Sequence, residues 1–251
     1  MSTGILTPTS VVAEPSAAVD FSRRAAASSS RIAYSRAIGA LFLLGFVSYG
    51  TGFGLVTSVV GAPDFLSSIS AHQLTFVLGA FLMLLNSVVD VGKGVLFFPI
   101  LEKHGKRTAL VYFAAMIVEV VLLAIGVLSL LMIVPLAQRG VDAGGATAEW
   151  AKAVGSLLIR SNTMAYQLAM TSLALGNVFL WALALRIRLI PPWLSVWGVL
   201  GYAIFLVGAV GEIFGVHIGL VCTIAGGLFE VVLGFWLLIK GFEPEAYGQD
   251  A

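Results

Sequence analysis

The sequence predicts an all-α fold: a polytopic membrane bundle of six transmembrane helices with both termini cytoplasmic (N-in, C-in). Three observations predict it. Hydrophobic residues make up 59% of the 251 residues and charged residues 11%, against roughly a quarter charged in a water-soluble domain; mean hydropathy is +1.00. The apolar residues gather into six runs, each long enough to cross a ~30 Å hydrocarbon core at ~1.5 Å per residue. Lysine and arginine concentrate in alternate gaps between those runs, the bias that marks the cytoplasmic side.

Residues 1–35 are rich in Ser, Ala and Thr, contain Pro8 and Pro15 and show no helical apolar period; they read as a disordered cytoplasmic tail. Arg23, Arg24, Arg31 and Arg36 lead into the first apolar run, about 37–60. A cleaved signal peptide has a shorter apolar region of about 7–15 residues, so this run reads as a first membrane helix. The others fall at about 74–100, 108–136, 163–185, 194–215 and 217–239. That makes 36–241 the transmembrane domain and 242–251 a second cytoplasmic tail. Pro191, Pro192 and Trp193 restart the chain before the fifth helix, proline suiting a first helical turn and tryptophan the headgroup level.

Orientation follows from the basic residues. The tail's four arginines, Lys103, Lys106, Arg107, Arg186, Arg188 and Lys240 place ten on one side, whereas Arg139, Lys152 and Arg160 place three on the other. The one sizeable external loop, 138–162, opens on the turn-like QRGVDAGG, and its TAEWAKAVGSLLIR suits either a short interfacial helix or packed loop. Glycines are dense in helix 1 (Gly45, Gly50, Gly52, Gly54) and helix 5 (Gly198, Gly201, Gly208, Gly211), and Gly215 with Gly219 make a GxxxG. Small residues let membrane helices approach closely, within one chain or across a homo-oligomer face.

Against this apolar background the polar residues stand out. A charge near the centre of a membrane helix costs about 2.5–3.5 kcal/mol, and helix 2 carries two. Asn86, Asp90 and Lys93 follow at spacings of four and three, one polar stripe on a helix. At ~1.5 Å per residue, Asp90, Glu119 and Glu230 all fall in the inner half of the bilayer, with Asn177 level with Lys93. The expected cluster is therefore Asn86, Asp90, Lys93, Glu119, Asn177 and Glu230. A second group, His72, Gln167, Glu212 and His217, falls near the external surface, where water is in reach. Two histidines without a third strong ligand predict no metal site. Cys222, the single cysteine, lies in an apolar run and reads as a packing residue.

Charge arithmetic sharpens the cluster. With every acid ionised, Asp90, Glu119 and Glu230 against Lys93 leave a net charge of −2 in low dielectric. Either some carboxyls stay protonated or a cation or water-filled cavity compensates. A hydrogen-bonded network of structural or regulatory role fits this pattern; a proton- or cation-coupled carrier of a small solute is the alternative. Intramembrane catalysis ranks last: the chain has no HExxH, no GxSxG, no P-loop, no dinucleotide fingerprint and no CxxC. Neither a cofactor nor a nucleic-acid partner is expected. The bilayer is the partner.

From about Arg31 onward the chain resembles the DUF4386 family of uncharacterised bacterial multi-pass membrane proteins. The resemblance rests on the Arg31-Ile32-Ala33 entry, on the acids Asp90 and Glu119, and on Pro192, Trp193, Leu194, Gly198 and Gly201 in helix 5. It closes on Glu230, Trp236, Lys240 and Gly241. It implies a multi-pass protein of the bacterial inner (plasma) membrane and no established activity. In one place the chain departs from the family pattern. An arginine often stands three residues before the helix 3 glutamate, where this chain has Met116, and Lys93 in helix 2 takes over as the basic partner.

Overall fold

Every regular element among the described residues, 17–140 and 145–247, is helical in the computed structural model. In chain order these are α1 (Ala17–Val60), α2 (Phe65–Ala71), α3 (Gln73–Leu131), α4 (Ile133–Gly140), α5 (Ala146–Ile187), α6 (Pro192–Ile213), α7 (Gly219–Ile239) and α8 (Pro244–Tyr247). Five of them, α1, α3, α5, α6 and α7, are long and apolar enough to cross a membrane. Their outward faces carry bare hydrophobic side chains: Leu74 is 82% exposed and Val88 68%. Such a surface suits lipid and would aggregate in water.

α3 is one 59-residue element interrupted at Gly105, where the backbone leaves the helical region at φ −170° and ψ 79°. The break folds it into two arms, 73–104 and 106–131. α1 packs on α3, α3 on α5, α5 on α6, α6 on α7, and α7 returns to α1, so the long helices close a ring. Two contacts set its tightness. A Cβ on Gly52 would lie 2.6 Å from the Gly79 carbonyl oxygen, and one on Gly39 would lie 2.7 Å from that of Gly234. α1 therefore meets α3 and α7 backbone to backbone.

Several boundaries differ from the sequence expectation. The tail expected to be disordered through residue 35 is helical from Ala17: no Gly or Pro falls between Pro15 and Gly39, and extending an existing helix is cheap once nucleated. The rest of that tail, 1–16, and residues 248–251 lie outside the described residues. The loop expected at 138–162 is mostly helix. α4 fills its start, 141–144 lie outside the described residues, and α5 runs unbroken from Ala146 into the expected fourth span. The span expected at 108–136 ends at Leu131, and the fifth and sixth run 192–213 and 219–239. Of the expected GxxxG only one glycine packs: Gly219, the first residue of α7, sits against Glu212 and Gly208, whereas Gly215 turns the chain at φ +81° with nothing within 4 Å of an added Cβ. Gly50 and Gly54 have nothing within 4 Å of an added Cβ, so they do not pack tightly either.

The expected second tail is likewise anchored. Phe242, 1% exposed, packs against Phe97 and Tyr247 with ring centroids 6.0 and 6.4 Å away. Its backbone N–H donates to Ser35 Oγ at 3.0 Å, the Arg31 guanidinium donates to its carbonyl, and Glu243 N–H donates to Leu189 O at 3.0 Å. This hook ties α1 and the α5–α6 turn to the segment after α7 at one end of the bundle, the terminal end. Above it Phe42, Phe97, Trp181 and Phe229 fill the core with edge-on aromatic contacts.

Candidate functional site

Above that aromatic plug lies a cavity of about 170 Å³. α3 supplies its most polar wall. Because residues four and three apart share a helix face, Asn86, Asp90 and Lys93 line up along the first arm. Lys93 Nζ is 2.6 Å from Asp90 Oδ1, and Asn86 Nδ2 donates to Asp90 Oδ2 at 2.6 Å. Both carboxylate oxygens are thus engaged, with Asp90 2% and Lys93 5% exposed. The ammonium also sits 4.8 Å above the Phe42 ring centroid, a cation–π contact from α1. Gly45 makes room: a Cβ there would come within 3.0 Å of Asn86 Oδ1.

Glu119, from the second arm, reaches the same cavity and is 1% exposed. Its Oε2 is buried and has no hydrogen-bond partner among the described residues. Unmet acceptors of that kind cost about 1–3 kcal/mol and are rare in folded proteins. Glu230 of α7, half-buried, lines the opposite wall and accepts a hydrogen bond at Oε1 from the Tyr202 hydroxyl of α6. The electrostatic balance is therefore uneven. Asp90 and Lys93 neutralise each other, while among the described residues neither glutamate has a basic partner within salt-bridge distance.

Of the expected cluster, Asn86, Asp90, Lys93, Glu119 and Glu230 surround this one cavity. Asn177 does not. Its amide donates to Leu173 O at 3.0 Å and its Oδ1 accepts from Trp181 Nε1 at 3.1 Å. It serves the aromatic plug, because a buried indole N–H needs an acceptor. The outer group divides similarly. Glu212 Oε2 lies 3.2 Å from His217 Nδ1, and Glu212 Oε1 accepts the Gly219 N–H at 2.9 Å, capping α7. His72 is exposed beside the start of α3, and Gln167 takes no part in that pair. Cys222 packs against Gly208, where an added Cβ would be 3.1 Å from its Sγ.

Tyrosines are the part that sequence reasoning missed. Tyr49 of α1 and Tyr166 of α5 stack with centroids 5.6 Å apart on the side of the cavity away from the terminal end, and Tyr202 holds Glu230. The signal was available, since tyrosine favours the membrane interface and these three sit well inside apolar helices.

The family model described as "Domain of unknown function (DUF4386)" matches residues 37–241, and the chain belongs to that family. No curated protein and no solved structure matches it.

Proposed function

We propose that this DUF4386 protein crosses the plasma membrane six times, N-in and C-in, and that its central cavity binds and carries a small cation. The break at Gly105 supports the count, because each arm of α3 is by itself long enough for a ~30 Å core. Ten basic residues on the side of the termini against three on the other support the orientation.

One observation carries the functional reading: an open volume reaches Glu119, whose buried oxygen lacks a partner. A purely structural network would pair each acid, as Lys93 and Asn86 pair Asp90. Glu119 and Glu230 are not paired in that way, and a bound cation would balance them. The test is uptake of radiolabelled methylammonium, with proton flux followed in parallel, into proteoliposomes holding wild type, Glu119→Gln or Glu230→Gln. Loss of uptake in both variants is expected. Equal uptake in the three, with each protein normally folded, removes the carrier reading and leaves the structural one.

A further inference from the structure

We propose that the cavity is entered sideways from the bilayer, between α1 and α7, and that its ligand is an amphipathic primary amine. The inference rests on the cation-binding reading and names the ligand class and the route.

The route follows from how two neighbouring helices separate. α1 and α7 touch backbone to backbone where Gly39 meets Gly234, near the terminal end. Further along, contact is lost. A Cβ on Gly227 would meet a single atom, Phe46 Cε2 at 3.7 Å, and one on Gly50 would meet nothing within 4 Å. Phe46, Gly50, Thr223 and Gly227 all line the cavity, yet Phe46 is 51% exposed and Gly50 is exposed on the lipid-facing surface. Two other directions are occupied. Toward the terminal end stand Phe42, Phe97, Trp181 and Phe229, and on the other side the stacked pair Tyr49–Tyr166. A solute taking this window meets hydrocarbon on its way, so it needs an apolar body.

The ligand class follows from the walls. Glu119 Oε2 needs a hydrogen-bond donor, which a primary ammonium has and a quaternary one lacks. Facing it, Phe46, Tyr49, Tyr166 and Phe205 offer aromatic surface to a hydrocarbon body and to the cation itself. A cavity of about 170 Å³ exceeds only slightly the ~150 Å³ that accommodates benzene. The body is therefore one small ring or a short chain.

Cyclohexylamine is the probe, with cyclohexanol as its neutral counterpart, and protein in lipid nanodiscs is assayed by rapid filtration. Wild type is expected to bind the amine and not the alcohol, and Glu119→Gln to weaken amine binding roughly 10- to 100-fold, the loss of one charged hydrogen bond. Gly227→Phe, which fills the window, is expected to slow entry and exit together several-fold; Phe46→Ala, which widens it, to speed both. Equal binding of amine and alcohol overturns the ligand class. Unchanged rates in both window variants, each monodisperse, overturn the route. Methylammonium uptake that depends on Glu119, without cyclohexylamine binding, overturns this inference while the carrier reading stands; absence of both removes the reading beneath it.

Discussion

Replacing Lys93 with methionine tests the electrostatics of the cavity most directly. The two side chains are of similar length, so the volume is kept, and what disappears is the charge 2.6 Å from Asp90 Oδ1 and 4.8 Å from the Phe42 ring centroid. Breaking a buried pair from one side leaves the other ion uncompensated, which costs about 3–5 kcal/mol. The cation–π contact adds about 0.5–2 kcal/mol, partly replaced by sulfur against the ring. Asp90, Lys93 and Asn86 share one helical arm, so the pair persists in an isolated helix and holds no two helices together. Removing both charges should therefore be mild. Asp90→Asn/Lys93→Met keeps an acceptor for Asn86 Nδ2 and is expected within about 1 kcal/mol of wild type, since deleting both partners of a buried pair is near neutral. Reversible unfolding in mixed detergent micelles, followed by circular dichroism, reads both values. A single mutant losing less than about 1 kcal/mol, or a double mutant as unstable as the single, would refute the claim that charge imbalance governs this site.

Three further outcomes follow from the same geometry. Glu119→Met replaces a buried carboxylate lacking a partner with an apolar chain and is expected to stabilise the ligand-free protein by about 1–3 kcal/mol while abolishing methylammonium uptake; unfolding and uptake assays on one preparation check the opposed signs. Met116→Arg in the Lys93→Met background is expected to recover part of the lost stability. Met116 is buried beside Gly94, one turn before Glu119, and no recovery in the micelle assay would count against a basic partner exchanged between the arms. Phe242→Ala is expected to cost about 3–5 kcal/mol by leaving a void beside Phe97 and Tyr247, and limited proteolysis at the chain's end would report the released hook.

Hydropathy alone reveals the long helices, because a bilayer demands apolar runs of one length. The shared level of Asp90, Glu119 and Glu230 follows from counting residues at a fixed rise. Rotation of each helix about its own axis is what counting cannot supply. Asn177, expected in the cluster, instead serves Trp181 four residues along its own helix. Gly50 and Gly52 are two residues apart and read alike in sequence, but one faces open space and the other the Gly79 backbone. Which glycine packs depends on what stands opposite, and that is tertiary information. The helical stretch from Ala17, the hook at Phe242 and the long start of α5 escape the hydropathy reading for a related reason: their order comes from continuity with helices already formed or from one buried ring.

Pairing, finally, is what the sequence leaves open and the fold decides. From composition the excess of two negative charges belongs to the cluster as a whole. In the bundle Asp90 bonds both Lys93 and Asn86, three and four residues away on its own helix. The excess is thereby transferred to Glu119 and Glu230, on different elements across an open volume. Local pairing satisfies one acid, and the other two either keep a proton or are balanced by a cation or water in the cavity. An apolar residue at 119 would remove that demand, which makes Glu119→Met the variant on which the proposed cation site turns.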